Sequence, residues 1–339
     1  MIGKRNIKKK IYFLCTLLIL IFNLFSSILL SGSVIREDRN ENLKADLGSQ
    51  LNFSSNNPPS KNDFDYYKEI IIDHSKVSGS TPLTDFPFLI SIYDSDLHDN
   101  VQLSGNDIAF SDGITWLDHE IEVFEHDYNG SHAKLVVWVR LPSISTITDT
   151  KIYLYYGNTT MGPRENPTGV WDANYKGVWH ASEDPTGTIY DSTSNNNDGT
   201  PQGSMSSADR VDGQIGGSLN FDGNDEFIDC GNPTSLQITG SITVEAWFKA
   251  DYFGNTYLIS KNGRSHERGW DVSFDDINLT HGYLIYRYAL NGEIHADDVG
   301  NITVPINQWH HVVGVFEASS YSRLFLNGQM VDENTTNIL

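Results

Sequence analysis

The sequence predicts an all-β protein in which a β-sandwich domain is followed by a jelly roll, and three observations carry that prediction. Short runs of β-branched and aromatic residues recur at close spacing from Tyr66 onward. Turn pairs such as Asp112-Gly113 and Asn129-Gly130 separate them. Between residues 66 and 160 no stretch sustains a helical period. With 339 residues, 39% of them hydrophobic, the chain is long enough for two cores.

Taken in order, residues 1–33 read as a signal peptide or an N-terminal membrane anchor. Lys4, Arg5, Lys8, Lys9 and Lys10 precede the apolar run Ile11 to Leu30, which is the layout of either. At about 1.5 Å per residue the run can cross a ~30 Å hydrocarbon core. Ser31 and Ser33 offer small side chains for cleavage, whereas Asn23, Ser26 and Ser27 weaken a permanent span. Cys15 lies ahead of most of the apolar run, the wrong order for a lipoprotein signal, and reads as a bystander. Residues 34–65 are charged, rich in Asn and Ser and carry Pro58-Pro59. They read as a disordered linker.

The charge balance narrows the partners. Asp and Glu number 44 against 23 Lys and Arg, a net charge of −21, and five of the bases sit in the N-terminal segment. Nucleic acid and anionic membrane surfaces are therefore excluded, and a membrane is met only through the anchor. Beyond that segment Cys230 is the one cysteine, so an exported chain has no internal disulfide. Asn-x-Ser/Thr acceptors at Asn52, Asn129, Asn158, Asn278, Asn301 and Asn334 fit a secreted or cell-surface glycoprotein.

Residues 66–175 carry the first strand series: "YYKEIIID", "FPFLISIYD", "IAFSD", "HEIEVFEHD", "AKLVVWVRLP" and "TKIYLYYGN". These predict a sandwich. The Pro- and Gly-rich stretch 159–175 lets the chain cross over. Residues 176–339 then show nine candidate strands, from "GVWHA" to "SRLFLNGQMV", at jelly-roll spacing. In "SITVEAWFK" the period of two puts Val244, Ala246 and Phe248 on one face and Thr243, Glu245 and Trp247 on the other.

Several phrases carry a resemblance. "VSGSTPLTDFPFLISIYDSDL", "DGITWLDHEIEVFE", "KIYLYYGN" and "GVWDANYKGVWH" resemble an archaeal and bacterial surface module, domain of unknown function 2341. "DSTSNNNDGT", "GGSLNFDGNDEFID", "ITVEAWFK" and "WHHVVGVFEASSYSRLFLNG" resemble a LamG-like jelly roll of the concanavalin A-like lectin/glucanase superfamily. The first family implies no agreed activity. The second implies binding or adhesion toward glycans or proteins, often assisted by calcium, and a closing strand past "LFLNG". Since the sequence stops at Leu339, a C-terminally incomplete roll with an open edge is expected.

The constellations divide between chemistry and plain structure. In "DSTSNNNDGT" the oxygens of Asp191, Asn195, Asn197 and Asp198, with Asp222 and Asp225 of "FDGND", suit a structural calcium ion. The same residue types build hydrogen-bonded turns, so both readings stand. In "EIEVFE" Glu120 and Glu122 share a face at period two, as a hydrolytic acid pair would. They lie outside the jelly roll and lack the middle Asp of the glucanase pattern, so a solvated acidic face is expected and no catalytic residue is assigned. His310 and His311 point to opposite faces and do not share a metal. Tyr286 and Tyr288 share a strand face and are the expected ligand contacts. The function expected is an exported surface binding protein recognising an extracellular glycan or surface protein. A glycoside hydrolase or its accessory module, and a structural spacer of a surface array, are the alternatives.

Overall fold

The structure is a computed structural model and describes residues 11–20, 63–254, 256–261, 269–278, 281–290 and 293–335. Two compact units divide the chain, residues 30–171 and residues 172–339 together with 1–29. The first strand, β1 (Ile11–Leu20), belongs to the latter. The expected linker, residues 34–65, lies almost wholly outside the described residues.

The unit of residues 30–171 holds β2 (Tyr66–Ile72), β3 (Leu83–Asp94), β4 (Ala109–Ser111), β5 (Trp116–Leu117), β6 (His119–Glu125), β7 (Ala133–Ile144) and β8 (Thr150–Tyr156). They form a four-stranded sheet, β2-β8-β4-β5, and a three-stranded sheet, β3-β7-β6. Leu135, Val137, Val139 and Leu141 form the inner row of β7 and are buried, and on the alternate face Lys134, Trp138 and Arg140 are half-exposed while Val136 is buried as well. At about 1.5–3 kcal/mol per buried aliphatic side chain, that inner row is a principal stabilising term of the unit. Asp107, fully buried, anchors the end of β8, since its carboxylate accepts from the backbone N–H groups of Gln102 (2.9 Å), Gly157 (3.0 Å) and Asn158 (2.9 Å). Among the described residues of this unit, α-helix is confined to α1 (Ser95–Asn100), capped by Asp94, and α2 (Pro167–Val170), beside a short 3-10 turn at His74–Lys76.

The other unit holds β9 (Thr200–Gln202), β10 (Arg210–Asp212), β11 (Gly217–Phe221), β12 (Phe227–Asp229), β13 (Ile242–Ala250), β14 (Thr256–Ser260), β15 (Gly269–Asn278), β16 (His281–Leu290), β17 (Glu293–Pro305), β18 (His310–Glu317), β19 (Tyr321–Leu326) and β20 (Gln329–Asn334). A seven-stranded sheet runs β10-β11-β1-β13-β18-β19-β20, and a four-stranded sheet runs β14-β15-β16-β17. Their inner faces share one apolar core, including Val244, Ala246 and Phe248 of β13, Val272 and Phe274 of β15, and Tyr286 of β16. The two sheets approach so closely at Gly314 that a Cβ there would lie 2.4 Å from the Tyr286 ring. Only glycine leaves that room. The single expected strand "SRLFLNGQMV" is instead a hairpin, because Asn327 (φ 49°) and Gly328 (φ 77°) take the paired left-handed conformation of a two-residue turn. "GVWHA" is no strand, although Trp179 and Ala181 within it are buried.

Ile11–Leu20, expected as the apolar part of a signal or anchor, is an extended strand here. It runs antiparallel to both β11 and β13, with Phe13 opposite Phe248 and Ile19 opposite Val244. A continuous apolar run suits a strand with neighbours on both sides as well as it suits a helix. Among the described residues no helix is long and apolar enough to cross a membrane.

Candidate functional site

The "DSTSNNNDGT" segment is a loop closed at its base by Ile189 and Gly199, which exchange backbone hydrogen bonds of 2.9 and 2.7 Å. Inside it Asp191 is buried, and four donors converge on its carboxylate. Oδ1 accepts from the N–H groups of Val178 (2.9 Å) and Thr193 (3.0 Å). Oδ2 accepts from Thr193 Oγ1 (2.9 Å) and the N–H of Asn197 (2.8 Å). Asn197 in turn donates Nδ2 to Lys176 O (2.6 Å), accepts from Ser235 Oγ (2.9 Å), and through its backbone carbonyl accepts from Trp179 Nε1 (2.9 Å). Asn195 Nδ2 donates to Tyr175 O (3.0 Å), and Asp198 Oδ1 accepts from the N–H of Asp191 (2.9 Å). The loop's carboxylate, amide and carbonyl groups, accepting from Val178, Trp179 and Ser235 and donating to the carbonyls of Tyr175 and Lys176, thus staple residues 175–179 and Ser235 to one another.

That arrangement does not fit a calcium shell built from the six expected residues. A cation at Asp191 has to displace donors already in place. Asp222 and Asp225 sit on the β11–β12 turn, where Asp222 accepts from Asn224 through both its N–H (2.8 Å) and Nδ2 (2.7 Å), and Asp225 is exposed. The Asn224 bonds hold the Asp222 carboxyl below its ordinary range. Among the described residues no three carboxylates of this set bring oxygens within 4.8 Å of one another. The one trio that does, Asp73, His74 and Asp149, is explained locally. Asp73 caps the short turn His74–Lys76 and Asp149 Oδ1 receives the His74 N–H (3.1 Å) and pairs with His74 Nδ1 (2.6 Å).

Beside the 191–198 loop, a cleft of about 620 Å³ enters the second unit between β11–β12 and β14–β15. Trp179, Ile189, Leu219, Ile228, Leu258 and Trp270 line its depth. Gly199 lets the loop lie against β12, since a Cβ there would meet Ile228 Cγ2 at 2.3 Å. Trp270 is buried, and among the described residues no acceptor meets its indole N–H. At the rim Lys261 Nζ donates to Asn232 Oδ1 (2.7 Å) and Gly231 O (3.2 Å). Desolvation lowers its pKa. Cys230, also lining the cleft, is pushed up to about 12 by burial and by the charges of Asp229 and Asp191. It is a thiol at neutral pH and no nucleophile.

Of the two expected ligand tyrosines, Tyr286 requires correction. It is fully buried against Gly314 in the shared core and touches no solvent. Its face of β16 turns inward because the sheets pack there, which the aromatic pattern alone does not distinguish from an outward face. Tyr288 lies opposite Trp270 and Ala296 in the register, and its side chain is outside the described set.

The acidic strand is also corrected, from a solvated face to a paired one. β6 is the edge of its sheet, and the returning segment 165–171 is fastened over it. Glu120, buried, accepts from Trp171 Nε1 (2.5 Å), and Glu122 accepts from Trp138 Nε1 (2.7 Å). The two indoles lie 5.3 Å apart between centroids. Glu165 Oε1 receives the Ile121 N–H (2.7 Å), and the Asn166 N–H reaches His119 O (2.9 Å). These bonds occupy a sheet edge that would otherwise be exposed. No signal in "EIEVFE" alone points to Trp171, fifty-one residues away.

The acceptor asparagines are scattered. Asn129 stands in the exposed β6–β7 turn, its Oδ1 receiving Ser131 Oγ (3.1 Å). Asn158 donates Nδ2, the atom that would carry a glycan, to Asp63 O (2.8 Å). Asn334 ends β20, half-buried. Asn278 lies on β15 and Asn301 on β17, with side chains outside the described set, as is Asn52 altogether.

Comparison with known proteins agrees with this architecture. Residues 104–199 match the family model of a domain of unknown function (DUF2341), and residues 222–338 match the Laminin_G_3 model of the concanavalin A-like lectin/glucanases superfamily. No curated protein gives a significant match to the chain. The DUF2341 match runs past the boundary at residue 171 and takes in the 191–198 loop, which the sequence phrases had joined to the LamG-like module. Over these two stretches, in that order, the chain is similar to DUF2341 and to the concanavalin A-like lectin/glucanases superfamily, and the second match falls within the two-sheet unit of residues 172–339.

Proposed function

We propose that this protein is exported and acts at the cell surface as a binding or adhesion protein, its jelly roll recognising an extracellular glycan or a surface protein. The observation that supports it best is the coincidence of the concanavalin A-like match with the two-sheet sandwich of residues 172–339. Fold alone does not choose between binding and hydrolysis. The disposition of the acids favours binding: Glu120 and Glu122 are engaged by indole N–H groups rather than facing each other across a groove. Export is supported by the basic cluster ahead of Ile11 and by the acceptor asparagines. The reading does not need calcium, because the loop that a cation would hold is closed by its own donors. The test is a glycan array and a panel of surface-protein fractions probed with the full chain, in calcium and in chelator, alongside reducing-end release from the same polysaccharides. Saturable binding without turnover is expected. Turnover abolished by Glu120→Gln would overturn the binding reading in favour of hydrolysis.

A further inference from the structure

We infer that the slot between β11 and β13, which Ile11–Leu20 fills, is in the exported protein a docking site for an extended, apolar strand supplied by another polypeptide. The inference rests on the export reading, because one segment is asked to do two things. Ile11–Leu20 opens the apolar run behind the basic cluster, and it is also the strand that joins β11 to β13. A leader held by the export machinery, or an anchor in a membrane, is not a strand of this sheet at the same time. Once it leaves, the sheet loses a member from its middle rather than from its end. β11 and β13 then each face the gap with unpaired backbone groups.

The gap keeps its width because each wall is held from behind. β13 pairs with β18 from Ile242 to Phe248. β11 pairs with β10, its Gly217 N–H donates to Ser182 Oγ (3.1 Å), and Arg210 Nε of β10 donates to Ser182 O (2.6 Å). Neighbouring strands lie about 4.8 Å apart, so the two walls stand about 9.6 Å from each other, a gap one strand wide. The register states what fits it. The occupant runs antiparallel to both walls, as Ile11–Leu20 does over its 10 residues. Its residues opposite Val244 and Phe248 share their face of the sheet. Both are fully buried in the core, so apolar side chains are required there. Opposite Glu245, on the other face, a second acid is disfavoured, since like charges directly opposite one another destabilise a sheet. Addition of a strand through main-chain hydrogen bonds, with alternate side chains giving specificity, is a recurrent mode of peptide recognition.

The test uses the full chain and a fluorescent peptide of residues 8–20, in which Lys8, Lys9 and Lys10 give solubility. The parent chain fills its own slot and is expected to exclude the peptide. A chain carrying Phe13→Pro and Ile19→Pro cannot pair that strand, and is expected to take up the peptide saturably at one site with hydrogen exchange slowed in residues 217–221 and 243–250. A peptide with the same two prolines is expected to bind about tenfold more weakly, the increment of one lost ladder hydrogen bond. No saturable binding by the proline chain, equal binding of the two peptides, or protection elsewhere in the chain would overturn the proposal. If the proline chain does not fold, the parent chain cut once between residues 33 and 60 at an inserted protease site decides: the peptide is expected to displace the severed N-terminal piece, and failure to do so overturns the proposal. Fractionation of the native host reads the premise separately. A chain found only in the cytosol with residues 1–33 intact overturns the export reading and the proposal together, whereas a chain at the surface whose slot refuses the peptide overturns the proposal alone.

Discussion

Asp191 offers the sharpest perturbation. Replacing it with alanine withdraws the acceptor from three backbone N–H groups, those of Val178, Thr193 and Asn197, and from the Thr193 hydroxyl. Hydrogen bonds to a charged group contribute about 1.5–3 kcal/mol each, and a buried donor left unsatisfied costs about 1–3 kcal/mol. The bonds share one carboxylate and are not additive, so a loss of about 4 kcal/mol is expected for Asp191→Ala. Asparagine keeps one oxygen for Val178 and Thr193 but turns an amide N–H₂ toward the Asn197 N–H, and about 2–3 kcal/mol is expected. The assay is urea unfolding of the full chain, followed by tryptophan fluorescence in chelator and again in millimolar calcium. A turn organised by its own donors predicts the same loss in both media. A variant that matches the parent in chelator and falls behind only in calcium would refute this reasoning and establish the loop as a cation site.

Three further outcomes are expected. Gly314→Ala places a Cβ 2.4 Å from the Tyr286 ring and should destabilise the second unit by about 1–3 kcal/mol, read as a lower urea midpoint; an unchanged midpoint would mean the sheets do not approach there. Trp171→Phe removes the N–H that Glu120 accepts and should cost about 2 kcal/mol in the first unit, with faster proteolysis of the 165–171 segment as the second readout. Burial pushes Glu245 up from its ordinary 4.5 to about 7, so its contribution is fully present below pH 4.5 and is lost as pH rises through 7. Burial pushes His311, whose Nε2 lies 3.5 Å from Glu245, down to about 4, so its contribution is present above pH 6.5 and is lost as pH falls through 4. Glu245→Gln should therefore stabilise the protein at pH 8 by about 2 kcal/mol and remove this group's alkaline-side loss from a stability-against-pH curve. An alkaline limb unchanged in that variant would place the titration elsewhere.

The all-β class and the order of the two modules were legible because period-two alternation is a local property. β13 shows it plainly: each buried residue from Ile242 to Ala250 is followed by a half-exposed one, as the pattern of "ITVEAWFKA" requires. The hairpin at Asn327-Gly328 was equally local, yet it was passed over because the apolar run around it reads as one continuous strand. Tyr286 was misplaced for the opposite reason. Whether an aromatic face turns inward depends on which sheet covers it, and for Tyr286 the covering residue is Gly314 on a different sheet. No property of "YLIYRYAL" carries that information.

The same distinction separates the loop from the cleft. An Asp/Asn-rich stretch announces oxygen atoms, and oxygen atoms serve a cation or a backbone donor equally well until the donors are located. For Asp191 the donors come from Val178, upstream, and from Thr193 and Asn197 within the loop itself, so the outcome turned on how residues 175–179 pass beneath it. The cleft left no compositional trace at all. Its walls come from the extended segment at Trp179, from β11 and β12, and from β14 and β15, each ordinary in sequence. Trp270 reads as one more core tryptophan, and so it is by burial. What marks it is a donor whose partner is missing among the described residues. A donor is recognisable in a sequence, whereas the lack of an acceptor is a property of the assembled fold, and it becomes visible only when the hydrogen bonds are accounted for one by one.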